Sequence, residues 1–335
     1  MTLLFTTPGS STATTHLGFG CSQLMGGITR RESIALLETA FEAGIRHYDT
    51  APSYGYGQAE RVLGEALRSR RDQVTITTKF GIQPPRNRTL LSLARRVMLP
   101  MVKRIPNVRS RLSRAAAGLK GRARFSPEEL RSSIEASLVA LGTDYIDILL
   151  LHEVVVDDLD DRLFAELERS LHQGKIRSFG IGSEVPAMEQ IYRKERRFCG
   201  VIQFEWSVLS GARPDYSGSF PVTHRSLAEN LVRLRAWLGT NPAAAQRWSQ
   251  ELDLDIADAS VLSRLMLAAA RHANPAGITL FSSRNPGNIR RNARLIAGNS
   301  DLEAGTAFTT LVARDAAAIL KGYPNPYQRQ VESVS

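Results

Sequence analysis

Eight short apolar runs, separated by stretches with helical patterning, constrain this chain more than any other feature. They are Leu17–Cys21, Ile45–Thr50, Val74–Phe80, Ile146–His152, Ile176–Gly182, Gly200–Trp206, Pro221–Leu227 and Ile278–Ser283. Each has the length of a strand, and most are followed by a helical pattern, which is the signature of a parallel sheet. Uninterrupted apolar runs such as Ile146–Leu151 suit strands buried on both faces. With 335 residues, 43% of them hydrophobic, the chain can bury one large core, and α/β barrels often exceed 250 residues as a single domain. The expected fold is therefore one (β/α)8 (TIM) barrel over 1–335. It carries a basic insertion at 81–124 after the third strand, an Ala-rich extra helix over 301–321 and a tail at 322–335. No internal repeat is present.

The punctuation of the helices supports this order. Ser126-Pro127-Glu128-Glu129 places an N-cap serine, a proline at the first helical position and a glutamate where a capping box needs one. That helix should run to Leu141 and stop at Gly142. Ile34, Leu37 and Phe41 fall on one face of an earlier helix that ends at Gly44, and Pro286 opens another after the eighth run. Two regions fit the alternation poorly: the basic stretch 81–124, and 207–257 around the seventh strand.

The formal net charge of +10 suggests nucleic acid until it is located. Twelve of the 43 basic residues lie in 81–124, which has no Asp or Glu; set aside, they leave the rest of the chain slightly acidic against its 33 Asp and Glu. The chain thus reads as a near-neutral globule with one basic insertion, and no nucleic-acid partner is expected. The start, Met1–Leu17, has no basic residue before its short apolar run Leu3–Phe5 and is not expected to be a secretory signal. No apolar stretch approaches a bilayer span. Two cysteines, Cys21 and Cys199, suggest neither a disulfide framework nor a zinc site, so no metal is expected and a reducing cytoplasm fits.

Four ionisable residues stand where the chemistry of a parallel barrel belongs. Asp49 ends the second run, with Tyr54 on the short loop beyond it; Lys79 ends the third and His152 the fourth. All strands point the same way, so these side chains converge at the C-terminal mouth. A free tyrosine titrates near ~10 and is a weak acid at neutral pH. A lysine ammonium ~4 Å away, at an effective dielectric of about 20, lowers that by up to roughly three units. Asp49 paired to Lys79 holds the ammonium in place and reduces its effect. A phenol so poised donates a proton to a carbonyl oxygen, and His152 can hydrogen-bond the same oxygen. Protonation at oxygen needs a nucleophile at carbon, and no cysteine or serine here is paired with a base; a hydride from a cofactor fills that need.

The run Asp49-Thr50-Ala51-Pro52-Ser53-Tyr54-Gly55-Tyr56-Gly57-Gln58-Ala59-Glu60, followed by Leu63-Gly64, resembles the aldo-keto reductase signature. Leu17-Gly18-Phe19-Gly20-Cys21 is similar to that family's first barrel strand, and Thr78-Lys79 and Asp147–His152 to its lysine and histidine segments. The likeness covers about 17–80 and 126–206 and returns at about 278–298. It implies reduction of aldehydes and ketones, or oxidation of alcohols, with a nicotinamide cofactor. By this resemblance Tyr54 is the proton donor, Lys79 and Asp49 tune it, and His152 orients the carbonyl; histidine rather than glutamate at that place implies carbonyl chemistry. The cofactor is expected to be NADPH, with NADH as the alternative. The resemblance places it against Gly20, Cys21, Asp49, Ser183, Gln203, Ser282, Ser283, Arg284, Asn288 and Asn292, with Arg284 toward a ribose 2′-phosphate. Glu184 stands where the family commonly has asparagine. Gly18-Phe19-Gly20 lacks the third glycine of a dinucleotide loop, and Gly18 reads as a tight turn. His224, on the seventh strand, stands where the family often has an aromatic residue stacked on nicotinamide; stacking, core and surface placements all stay open.

Two other classes remain. One is a non-catalytic barrel of the same ancestry that binds NADPH as a sensor or regulatory subunit. The other uses 81–124, where Arg and Lys interleave with Leu, Val and Met, as a surface for anionic lipid or nucleic acid; a solvated insertion and a substrate lid are the competing readings. Substrate, reaction direction and oligomeric state are not legible.

Overall fold

The computed structural model describes residues 4–83, 124–296 and 300–321. The insertion and tail expected at 81–124 and 322–335 therefore lie almost wholly outside the described residues. The chain opens with an antiparallel hairpin, β1 (Leu4–Thr6) and β2 (Ala13–Thr15). Eight parallel strands then close into a barrel: β3 (Leu17–Gly20), β4 (His47–Asp49), β5 (Thr75–Phe80), β6 (Ile146–His152), β7 (Ile176–Gly182), β8 (Val201–Glu205), β9 (Phe220–His224) and β10 (Ile278–Phe281), with β10 pairing β3. Each lies within or overlaps one of the eight apolar runs.

Helix α1 (Arg30–Glu42) starts with a Thr29–Glu32 capping box, and the chain turns beyond it at Gly44, φ 95°. Helix α2 (Ala59–Leu67) follows β4, α3 (Pro127–Leu141) precedes β6, α4 (Asp161–His172) precedes β7, and α5 (Val185–Lys194) precedes β8. Ser126 caps α3 as expected and Gly142 ends it in the left-handed region, φ 65°. The expected capping box is only half formed. The Glu129 carboxylate turns away to accept from the Arg124 amide at 2.9 Å and from Gln83 Nε2 at 3.4 Å, bridging those two residues.

Among the described residues no α-helix separates β8 from β9. A Gly-, Pro- and Ser-rich stretch, 211–219, descends instead, because such a sequence does not propagate a helix. Three helices then separate β9 from β10: α6 (Glu229–Thr240), α7 (Pro242–Leu252) and α8 (Ala259–Ala273). Helix α9 (Pro286–Ala293) follows β10, and α10 (Ser300–Ile319) is the expected C-terminal helix.

Alternation along the strands divides the core in two. Ile148, Leu150, Val201, Val222, Ile278 and Leu280 form a cluster inside the barrel, while Tyr48, Leu149, Leu151 and Phe204 join the layer beneath the helices. Gly18 is not a turn. It lies within β3, where a Cβ would stand 2.7 Å from Leu280 Cδ2 and 2.8 Å from His47 Cδ2, so glycine is there because the interior is full. A third cluster, built on Trp248, Phe308, Leu234 and Leu311, joins α6, α7, α8 and α10. No described helix is long and apolar enough to cross a membrane.

Candidate active site

Register brings the predicted residues to one rim. Gly20 pairs with Asp49, Lys79 with Leu150, His152 with Gly182, and Gly182 with Gln203. Lys79, buried at 2% exposure, donates from Nζ to Asp49 Oδ1 at 2.6 Å and to the Thr50 carbonyl at 3.0 Å. Its ammonium lies 5.2 Å from the centre of the Tyr54 ring. Tyr54 meets His152 edge to face, with ring centres 6.4 Å apart. The turn that presents Tyr54 is held in an unusual conformation: Gly55, Tyr56 and Gly57 all have positive φ. A Cβ on Gly55 would lie 2.7 Å from the Leu24 carbonyl, so that turn packs directly on the loop after β3.

The second carboxylate oxygen of Asp49 is also taken. Gln203 Nε2, across the mouth on β8, donates to Asp49 Oδ2 at 2.7 Å. Sequence spacing gives no hint of this link, since the two residues are 154 positions apart. A buried carboxylate held by an ammonium and an amide satisfies the requirement that buried charge be paired and hydrogen-bonded.

The electrostatics differ in one respect from the expectation. Burial pushes the Tyr54 phenol above its ordinary pKa; Lys79 opposes this and Asp49 adds to it, and the net direction is upward. The ammonium does pull the phenol down as expected, but desolvation of a phenolate is the larger effect. For Lys79 itself burial favours the neutral amine, yet Asp49, then Tyr54, outweigh it, and its pKa ends above the ordinary value. His224, at the end of β9, is pushed down to about 3 by burial first, with Lys79 and Arg225 adding to it, so it sits by the mouth as a neutral ring. Beneath the rim, His47 is likewise held at about 3, by burial and then Lys79. Its nitrogens meet Thr75 Oγ1 at 2.9 Å and Thr77 Oγ1 at 3.3 Å.

The residues expected to hold a cofactor spread around the same rim. Ser282 Oγ donates to the Gly20 carbonyl at 2.7 Å, tying β10 to β3. Cys21 follows, fully buried, its thiol pushed well up by burial. Ser183 is buried and donates to the Val154 carbonyl at 3.0 Å, while Glu184 beside it is exposed. Arg284 is exposed and donates from Nη2 to the Gly26 carbonyl at 3.0 Å. The Asn285 side chain already accepts from the Gly287 and Asn288 amides at the start of α9. An anion there would meet Arg284 rather than free helix amides, which differs from the usual use of a helix N-terminus. Ser283 Oγ accepts from the Asn285 amide at 3.1 Å, Asn288 accepts from Arg291, and Asn292 is buried. Among the described residues no cluster of three or more His, Cys, Asp or Glu is arranged to hold a metal ion.

The profile of the Aldo/keto reductase family matches residues 16–226. This chain belongs to the aldo/keto reductase family. It is 34% identical over 178 residues to D-threo-aldose 1-dehydrogenase of Pseudomonas sp., a match covering 50% of each protein. The chain spans about half the length of the curated relatives it matches. The fold superposes on the holo form of an aldo-keto reductase from Bacillus halodurans with a TM-score of 0.63 at 19% identity, covering 91% of this chain and 96% of that one. It also matches an aldo-keto reductase from Klebsiella pneumoniae solved in complex with NADPH, with a TM-score of 0.60 at 19% identity and 98% of both chains covered.

Proposed function

We propose that this protein is an oxidoreductase that transfers a hydride between NADPH and the carbonyl carbon of an aldehyde or ketone, or runs the reverse alcohol oxidation. The observation that carries this reading is the buried Lys79–Asp49 pair set 5.2 Å from the Tyr54 ring, with His152 against that ring's edge. In reduction, Tyr54 is the general acid. Like any phenol it is protonated at neutral pH, burial raising its pKa further, and it gives its proton to the oxygen as negative charge develops there. Lys79 offsets part of the burial effect, so the phenolate left behind faces an ammonium. Asp49 and the Thr50 carbonyl hold that ammonium in place. His152 stands across the ring from Tyr54, where it orients the carbonyl. The partner is a small-molecule carbonyl compound or alcohol.

The nicotinamide cofactor, when bound, supplies the hydride. The donors around the rim fit such a group. Arg284 is an exposed cation against Gly26 and suits a ribose 2′-phosphate. Gln203, on the same rim and bonded through Nε2 to Asp49, is the residue we assign to the nicotinamide end. Gly20, Cys21, Asp49, Ser183, Ser282, Ser283, Asn288 and Asn292 complete the lining we propose. NADH is the alternative cofactor. Both cysteines are free, buried thiols, which suits a reducing cytoplasm.

A sensor built on the same barrel would need only the cofactor rim, whereas here a charged pair is buried beside a phenol at the mouth. The test is fluorescence titration with NADPH and NADH, then a carbonyl panel with wild type and Tyr54→Phe. The variant should lose at least roughly 100-fold in turnover while binding cofactor normally. Wild-type turnover by Tyr54→Phe refutes the assignment of the acid, and no turnover of any carbonyl by the wild type favours the sensor.

A further inference from the structure

One residue of the signature run has no part in the proton-donor group. Glu60 lies in the first turn of α2, only 7% exposed. Its position near a helix N-terminus favours a carboxylate, but a buried one still needs hydrogen-bond donors. Thr78 supplies one: its hydroxyl, fully buried, donates to Glu60 Oε1 at 2.6 Å. Thr78 immediately precedes Lys79 on β5. Successive strand residues face opposite sides of the sheet, so Glu60 grips β5 from the helix side at the place where Lys79 leaves it toward the mouth.

The other end of this connection is Tyr54. The turn Tyr54–Gly57 runs directly into α2 through Gln58, and its backbone is set by three consecutive positive φ values. The turn is short, Gly55 is packed against Leu24 and Met25, and α2 begins one residue beyond it, so the first turn of the helix bears on where the phenol sits. Further along, α2 packs closely on α3, where a Cβ on Gly64 would lie 2.1 Å from the Leu141 carbonyl; the Glu60–Thr78 bond fastens the end of the helix that adjoins the turn. The Glu60–Thr78 bond therefore joins the segment that carries the acid to the strand that carries its ammonium.

We propose that Glu60 is a positioning residue, which through Thr78 fixes the separation between Tyr54 and Lys79. The proposal rests on the reading of Tyr54 as the general acid. The groups that face Tyr54 are Lys79, Asp49, Cys21 and His152; the thiol of Cys21 stays neutral, and the Asp49–Lys79 contact is internal to the pair. Separation from the ammonium is thus the quantity that Glu60 controls. Taking the 5.2 Å from the ammonium to the ring centre as the separation, at an effective dielectric of about 20 a retreat of ~1 Å weakens the attraction enough to raise the phenol's pKa by roughly 0.4.

The test compares Glu60→Ala, Glu60→Gln and Thr78→Val, each measured for kcat, KM, NADPH affinity by fluorescence, and the pH at which carbonyl reduction declines on the alkaline side. Glu60→Ala and Thr78→Val should each lower kcat roughly 1.5- to 2.5-fold, leave NADPH affinity unchanged and move the alkaline limb up by roughly 0.4 pH unit. Glu60→Gln keeps an oxygen acceptor for Thr78 and should stay close to wild type. If Glu60→Ala does not fold, Thr78→Val, nearly isosteric, carries the test alone. An unmoved alkaline limb in Thr78→Val, or a loss in Glu60→Gln equal to that in Glu60→Ala, overturns the proposal. Tyr54→Phe run in parallel separates the two failures: if it keeps turnover, the acid assignment is wrong whatever Glu60 does.

Discussion

Replacing Lys79 by methionine isolates what the buried ammonium contributes. The ammonium stands 5.2 Å from the centre of the Tyr54 ring. Taking that as the separation, an effective dielectric of about 20 gives an attraction to the phenolate of about 3 kcal/mol. Its loss raises the phenol's pKa by about 2. Asp49 then faces Tyr54 without its cation, which acts in the same direction. Proton transfer is partial in the transition state, so between half and all of this appears in the rate, a fall in kcat of roughly 10- to 100-fold. Breaking the pair also strands a carboxylate that is 4% exposed, at a cost to folding of roughly 3–5 kcal/mol; a thermal melt therefore accompanies the kinetics. Lys79→Arg keeps a cation and should recover part of the loss. The assay is steady-state reduction of benzaldehyde across neutral and alkaline pH, with NADPH affinity measured separately. A fall in kcat below about threefold in a folded variant would mean that the ammonium does not tune the acid. A fall matched by lost cofactor affinity would assign Lys79 to binding instead.

Two further outcomes follow from the rim and the barrel interior. Arg284→Ala should weaken NADPH by roughly 10-fold while leaving NADH nearly unchanged, as read by fluorescence titration; equal losses for both cofactors exclude a 2′-phosphate contact. His47 is fully buried, with its pKa depressed from 6.5 to about 3. The native state thus binds fewer protons than the unfolded one between those values, and stability contributed by neutral His47 is present above pH 6.5 and lost as pH falls toward 3. His47→Gln should flatten that acid limb in denaturant titrations, and an unchanged slope would show that His47 is not the group responsible.

The strands were legible because their burial on both faces leaves an unbroken apolar run, as in Ile146–Leu151, that no other element requires. The hairpin β1–β2 was not, since its strands are three residues each and Leu4 is exposed. Helix α6 is hard to read because nothing caps it, Ala228 offering no side-chain oxygen; α7 does open with the helix-start pair Asn241-Pro242, but it lies in the stretch 207–257 where the strand–helix alternation is unclear. In the site, Asp49, Lys79 and His152 announced themselves by ending strands, and topology alone brought them together. The Gln203–Asp49 bond joins residues 154 positions apart and leaves no local trace. The upward pKa of Tyr54 was hidden for a similar reason, because charge pairs can be guessed from sequence while the extent of desolvation cannot.

The two ends of the barrel are built on opposite terms. Among described residues other than glycine, positive φ occurs at Met25, Tyr56, Glu153, Arg225, Ala228 and Asp253, and the first five lie in loops that leave the C-terminal ends of strands. Each such conformation costs on the order of 1 kcal/mol or more and persists only where its surroundings over-determine it. At the N-terminal end the opposite holds. Asp147, fully buried, accepts from Arg71 at 2.7 Å and the Ile76 amide at 2.9 Å through one oxygen, and from Arg177 at 3.1 Å and Ser10 at 3.2 Å through the other. The Tyr145 ring lies between the two guanidinium groups, 3.9 and 3.7 Å from its centre. That clamp joins the N-terminal loop, β5, β6 and β7 and touches none of the residues at the mouth. A barrel fastened at its base can hold strained loops at its rim, because closing the strands at one end fixes where they emerge at the other. Tyr54 and its partners then need no flexibility of the scaffold to meet a carbonyl, only the exclusion of water around it.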